Sequence, residues 1–465
     1  MDLQQQLEVL IGFKNSVDLA KRELEIGGYH FNFTYDSFLS DSFSISRVIS
    51  NVLNIAEKLS ENELIKTLKN NLITHTLQIT ADLNVVKEAV LWGDLAIIIE
   101  GVTQILIVEV KEYPSRSLSE PEGEKVVRGS RDGFTEKLGT NIGLIRRRIG
   151  SGHLQMISYI IGTASKTKVV LVYLDNVIEE KIIKQVKEKL ANIEVTELTM
   201  SDKALEELLL NNSYTPYPLV KYTERPDTLA IHLYQGMFGI LVDTSPSAIL
   251  GPVSIFDHMQ HAEEYRQTVV AGSYLRFLRF IGILVSFLSM PLWYALSDYK
   301  DLMNPFFQNM IGNIPSHYLL FGQLILIELG IELIRMASIH TPNALSTSMG
   351  IVAGIIIGDM AINVGLFSEQ IVLLGALSAI GSYITPSYEL SLANKIIKLF
   401  LLLMVFILKL PGLIIALTSL FIYLMSLKSF SRPYLYPLIP FNGKALYKQI
   451  FRVSYAKKEK TNKKQ

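Results

Sequence analysis

Between residues 280 and 427 charged side chains almost vanish, and no other feature narrows the possible folds so far. Uncharged runs occupy 280–297, 336–358, 370–388 and 410–427, each 18 to 23 residues long. A helix rising 1.5 Å per residue needs about 20 apolar residues to cross the ~30 Å hydrocarbon layer. Hydrocarbon solvates no backbone N–H or C=O, and uninterrupted apolar runs of this length satisfy those groups as helices. Residues 1 to about 265 instead carry frequent Glu and Lys. The 465 residues therefore read as an α/β N-terminal region of two small subdomains, followed by an α-helical polytopic membrane domain over 280–427.

Spans are expected at 280–297, 318–337, 344–366 and 370–388. The last apolar stretch, 399–427, would reach ~43 Å if straight. It is interrupted by Lys409-Leu410-Pro411-Gly412, so a broken or re-entrant helix is expected there. From Lys428 onward ten Lys or Arg face one Glu, and a tail near +9 belongs on the cytoplasmic side. The opening "MDLQQQLEVLIGFKNSVDLA" has an early acid and no signal-length apolar core, which places the N-terminal half there too. Both termini inside require an even number of full crossings, and about four are expected. With no cysteine, disulfides and thiolate metal sites are excluded.

The second span, around "QLILIELGIELIRM" at 323–336, contains Glu328, Glu332 and Arg335. An ionised side chain alone in hydrocarbon costs at least about 2.5–3.5 kcal/mol. Spacings of four and three put all three on one helix face. Arg335 can pair Glu332 within the helix, leaving one acid to be protonated, paired by another segment or hydrated. Three readings stay open: an ion-pair knot between helices, a face on a water-filled ion route, or a helix lying partly outside the hydrocarbon.

In the soluble half, 1–110 reads as a first α/β subdomain, 111–150 as a connector with a helix, and 151–256 as a second α/β subdomain. "YHFNFTY" at 29–35 alternates like a half-buried strand, and "LAIIIEGVTQILIVEV" at 95–110 reads as a hairpin turning at Glu100-Gly101. Two or three helices are expected over 45–90. The second subdomain should hold strands at 155–161, 168–174, 193–198 and 238–243, with helices at 177–190 and 202–210. The connector is expected to turn helical from about Arg131, ending in the Arg146–Arg148 run. Interspersed acids there favour a solvated, ion-paired linker over a phosphate site. Residues 257–279 read as a juxtamembrane coupling helix, and 428–465 as a basic cytoplasmic tail. His258, His261 and Glu264 lack the order of a zinc motif, so no metal is expected.

The order Arg116-Ser, Glu120-Pro121, Glu124-x-Val126, Arg128-Gly129, Phe134-x-Glu136, Asn141, then Leu144-Ile145-Arg146-Arg147-Arg148 resembles the signature of the spore germination receptor A-subunit (GerA) family. "YTERPD" at 222–227 and "LVDTSPS" at 241–247 fit the same pattern, and 257–267, 339–350, 385–402 and 440–446 are similar to one branch of that family. The resemblance spans nearly the whole chain. It implies a multi-pass subunit of the spore inner membrane that assembles with itself, as pentamers, around an ion-conducting pore opening in germination. It also implies an accessory membrane subunit and other germination proteins as partners.

Within such an assembly the third span supplies the pore candidates. Gly350, Gly354 and Gly358 recur every four residues, a face that lets helices approach closely. Ser348, Val352, Ile355, Ile356, Asp359 and Asn363 lie on other faces. One Asp per copy becomes a carboxylate ring that concentrates cations, and the aliphatic residues could form a constriction. Ordinary helix packing with one partnered Asp is the alternative. The leading reading is a channel subunit promoting monovalent cation release during germination. Its rival is a non-conducting scaffold that assembles germination receptors or the dipicolinic acid release machinery. No nucleophile–base pair, phosphate loop or metal motif stands out, so neither enzyme nor cofactor is expected. The tail suits lipid headgroups rather than nucleic acid.

Overall fold

The structure is a computed structural model describing residues 2–56, 64–72, 76–113, 124, 126–210, 214–311, 315–340, 350–352 and 354–453. Two compact units emerge: Met1–Ser213 with Val220–Val253 and Ser429–Ser431, and Tyr214–Leu219 with Ser254–Lys428 and Arg432–Gln465.

The first unit contains two five-stranded sheets, antiparallel throughout. Strands β1 (Leu19–Ile26), β2 (Tyr29–Asp36), β3 (Leu77–Thr80), β4 (Leu95–Ile99) and β5 (Ile105–Val108) take the order β1-β2-β4-β5-β3. The second sheet joins β6 (Leu154–Ile161), β7 (Thr167–Leu174), β8 (Lys221–Thr223), β9 (Phe238–Val242) and β10 (Ala248–Gly251) in the order β6-β7-β9-β10-β8. Period-two alternation divides each central strand between two cores. Leu95, Ile97 and Ile99 pack with helices α2 (Ser42–Ala56) and α3 (Leu64–Asn71). Ala96 and Ile98 pack with α1 (Leu3–Ile11) and α4 (Leu83–Leu91). In the second sheet Val170, Val172 and Leu174 face α5 (Leu138–Arg148) and α8 (Pro226–Leu233). Val169, Leu171 and Tyr173 face α6 (Glu180–Ala191) and α7 (Ser201–Leu210). Each subdomain is thus three layers deep, which is why β4 and β7 read as continuous apolar runs.

Several expectations change. The connector helix begins at Leu138, not Arg131, because 131–137 is drawn out along the β8 end, where Phe134 N–H donates to the Glu224 carbonyl at 2.8 Å. Residues 193–198 form no strand; the Val195 and Thr196 carbonyls accept from the turn at 163–165 instead of a ladder. Strands β1, β3, β8 and β10 and helix α8 join those expected.

The second unit is helical: α9 (Ile255–His258), α10 (Ala262–Arg266), α11 (Val269–Ser297), α12 (Pro305–Ile311), α13 (His317–His340), α14 (Glu369–Ile384), α15 (Tyr388–Ser426) and α16 (Gly443–Ile450). The single coupling helix expected over 257–279 is instead α9, α10 and the first turns of α11, which restarts at Val269 under a Thr268 cap and runs on without a break. Among the described residues two helices, α11 and α15, are long and apolar enough to cross a membrane. At 16 residues α14 is shorter, and ends at Ile384 before Thr385-Pro386. Close packing of small residues joins α11 to α14: Ser378 Oγ donates to the Ser286 carbonyl at 2.7 Å, and a Cβ on Gly381 would strike the Gly282 carbonyl. Among the described residues, a Cβ added at Gly350, Gly354 or Gly358 would meet no atom within 4 Å. Helix α15 breaks at Lys409 (φ 56°), two residues before Pro411, whose ring cannot sit against the preceding turn of a straight helix. Near the break the Phe406 carbonyl contacts His317 Nε2 at 3.2 Å, and His317 Nδ1 lies 3.2 Å from Asp298.

Candidate functional site

Glu328, Glu332 and Arg335 stand on α13, whose face meets the start of α15. The acid left over in the sequence finds its partner there. Lys398 Nζ lies 2.6 Å from Glu328 and donates to Ser378 Oγ at 2.7 Å. Glu332 pairs with Arg335 at 2.7 Å and also with Lys395. The Arg335 guanidinium stacks 5.0 Å above the Tyr388 ring. Side-chain exposure is 2% for Lys398 and 8% for Glu328, so the innermost pair is sealed from solvent. Two carboxylates thus meet three cations, every one in an ion pair within the unit. Lys395 and Lys398 were legible in principle: three apart, they complement acids four apart on another helix.

The third-span candidates are arranged otherwise. Ser348 lies outside the described residues. Val352, Ile355, Ile356, Asp359 and Asn363 are all exposed. Residues 356–360 form a π-turn, a wide turn frequent at functional sites, followed by a helical turn at Ala361–Asn363. Gln323 of α13 holds the far end of this segment through the Leu366 carbonyl at 2.7 Å. Asp359 and Asn363 are thus exposed on a short segment whose other side chains are aliphatic.

The signature residues form an internal latch. Arg116, Glu120 and Pro121 lie outside the described residues. Glu124 accepts from Thr223 Oγ1 at 2.8 Å and Glu224 N–H at 3.0 Å. Arg225, fully buried, grips the Glu124 and Ser130 carbonyls at 3.1 and 2.8 Å and forks onto Asp227 at 3.0 Å. Asn141 closes a turn on Thr135 through both its amide atoms. Phe134 joins the core, Arg147 lies 4.7 Å from the Tyr113 ring, and Gly129 adopts φ 145°. Arg128 and Glu136 are exposed. Arg148 pairs with Asp132; burial alone would raise that carboxyl, but Arg148 and the Ser130 hydroxyl outweigh it and hold it low.

Arg146 does most in the signature. Its Nε lies 2.5 Å from Asp18 and 3.9 Å from Asp36, all three fully buried. Its other nitrogens reach the Ser151 and Leu154 carbonyls at 2.9 and 3.3 Å. One cation thus joins the first sheet to the second beside the Ser16–Met156 bridge. Burial, then the charge of Asp18, pushes the Asp36 carboxyl up to about 8, against the opposing pull of Arg146 and two backbone N–H groups. Neither aspartate was singled out in the sequence, since a buried acid has no periodic signal.

His258, His261 and Glu264 do not converge as a metal site. Glu264 is buried between Arg276, at 2.7 Å, and Arg279, while the His258 ring packs beside Tyr434. Among the described residues no group of three potential ligands occurs.

The family model described as Bacillus/Clostridium GerA spore germination protein matches residues 8–464. The chain belongs to the GerA family. Stage V sporulation protein AF of Bacillus subtilis is 42% identical over 446 residues, covering 96% of this chain and 90% of that protein. It represents the branch to which 257–267, 339–350, 385–402 and 440–446 are similar. Spore germination protein A1 of the same organism is 31% identical, covering 97% and 94% of the two chains. The crystal structure of the N-terminal domain of the A subunit of the Bacillus megaterium spore germinant receptor GerK3 is 24% identical at a TM-score of 0.42, over 54% of this chain and 92% of that one. GerA membership makes this a germination-related protein.

Proposed function

We propose that this GerA-family chain is a multi-pass subunit of an oligomeric ion channel in the spore inner membrane, both termini cytoplasmic, which promotes monovalent cation release during germination. One observation carries the reading: Asp359 and Asn363 are exposed on a segment otherwise apolar, beside glycines that, among the described residues, have no atom within 4 Å of an added Cβ. Lipid would accept the aliphatic residues but charges at least about 2.5 kcal/mol for a lone Asp. A second copy, closing on the glycines, would shelter both polar groups at a shared axis. Pentamers, an accessory membrane subunit and other germination proteins belong to the same proposal.

The α13–α15 ion pairs favour a second reading. Those charges are spent on one another rather than facing a route, as suits a scaffold for germination receptors or for the dipicolinic acid release machinery. Cation efflux separates the two. In potassium-loaded vesicles carrying the full chain with its accessory subunit, Asp359→Ala should slow efflux several-fold and Val352→Ala should raise it. Identical efflux from all three removes the channel and leaves the scaffold.

A further inference from the structure

The tail contributes an element that the channel reading does not use. Helix α16, "GKALYKQI", has no acid and no buried residue. Lys444, Tyr447, Lys448 and Phe451 follow at intervals of three, one and three, hence on one face. All four are exposed, Tyr447 by 58% and Phe451 by 46%, and the two rings lie 5.1 Å apart. Phe441, just before the helix, is 75% exposed.

The opposite side of α16 is fastened. Arg276 of α11 donates to the Lys448 and Gln449 carbonyls at 3.0 and 2.8 Å, capping the helix C-terminus. Gln449 Nε2 reaches Asp257 at 3.3 Å, and Gln449 also bonds Gln260. Arg452 holds the Tyr265 carbonyl at 2.7 Å and accepts no freedom at its own backbone, whose N–H donates to Ser273 Oγ at 3.1 Å. These contacts fix the depth of α16. Ser273 and Arg276 precede Phe280, where the first uncharged run begins, by seven and four residues. At 1.5 Å per residue, α16 lies about 6–11 Å from the expected edge of the hydrocarbon. That is headgroup level, where amphipathic helices bury an apolar face and aromatic rings collect.

We propose that α16 is an interfacial helix that binds anionic lipid headgroups through Lys444 and Lys448, with Phe441, Tyr447 and Phe451 seated at the acyl boundary. Two observations choose lipid over water or a protein partner: the tethered depth, and a basic face complementary to an acidic surface. The proposal rests on the reading that α11 spans a bilayer. Arg276 then connects lipid occupancy to the Glu264 pair at the mouth of α11.

Since the chain has no cysteine, single-cysteine variants take one environment-sensitive fluorophore without background. The full chain would carry it at Phe451→Cys, at Leu292→Cys in α11, or at Ile160→Cys in the first unit. Nanodiscs would contain either phosphatidylcholine alone or added phosphatidylglycerol, with nitroxide-labelled lipid as quencher. The expected result is strong quenching at 292 in both lipids, and none at 160. Quenching at 451 should rise several-fold with phosphatidylglycerol and lose that rise in Lys444→Gln/Lys448→Gln. Quenching at 292 without quenching at 451 overturns the interfacial helix and leaves the span intact. Absence of quenching at 292 overturns both. Equal quenching at 451 in the two lipids overturns the anionic recognition. A probe at 451 already shielded in detergent, increasingly with protein concentration, assigns the face to a second copy instead.

Discussion

Lys398→Ala should cost the helical unit about 3–5 kcal/mol, the effect of removing one partner from a buried ion pair. The substitution leaves the Glu328 carboxylate with no cation and Ser378 with an unfilled acceptor, in a place 8% exposed. Neither Lys395 nor Arg335 can replace it without abandoning Glu332. The expected readout is a drop of many degrees in the thermal midpoint of the detergent-purified full chain. Glu328→Ala together with Lys398→Ala should recover most of the loss, because no charge is then stranded. A midpoint for Lys398→Ala equal to the parent would show that the pair does not hold α13 to α15.

Arg146→Met should weaken the first unit by a similar ~3–5 kcal/mol. It leaves the buried Asp18 and Asp36 carboxyl groups without their shared cation and takes one donor from each of the Ser151 and Leu154 carbonyls. Arg146→Lys keeps the charge but not the fork, and should recover only part. Hydrogen exchange of β2 and β6 amides in the full chain reads the effect locally. The same site sets a pH dependence. Asp36 is pushed up to about 8, from an ordinary value near 3.9, so the folded unit binds the extra proton. Its contribution is complete below about pH 4 and is lost as pH rises towards 8. Asp36→Asn keeps an acceptor for the Phe38 and Leu39 N–H groups and should flatten that decline. An unchanged slope between pH 5 and 8 would mean that Asp36 is ionised throughout.

How much of this was readable follows from how each element is buried. Strand β2 showed because Phe31 and Phe33 alternate with polar residues against a covered face. Its partner β1, "LAKRELEI", hid because an edge strand protects itself with outward Lys, Arg and Glu. Strands of three or four residues such as β8 and β10 offer too few alternations to count. At 193–198 the alternation was present, yet the carbonyls went to a turn. In the helical unit the acids of α13 were visible as anomalies, but pairing them with Lys395 and Lys398 required knowing that α13 meets α15. Another close contact gave no such signal: Gly282 and Gly381 bring α11 and α14 together, although no four-residue repeat announces them. The signature was recognisable as a pattern, whereas its physical task, an arginine latch onto 124–130 and a cation shared by two aspartates, is visible only in three dimensions.

What matters most is whether 350–363 faces another copy of the chain. Native mass spectrometry of the full chain released directly from lipid nanodiscs decides it. A closed multimer, five copies on the present proposal, is the predicted species, with Asp359 sheltered at its axis. A functional particle with the mass of one chain would leave that carboxylate in lipid and contradict the account.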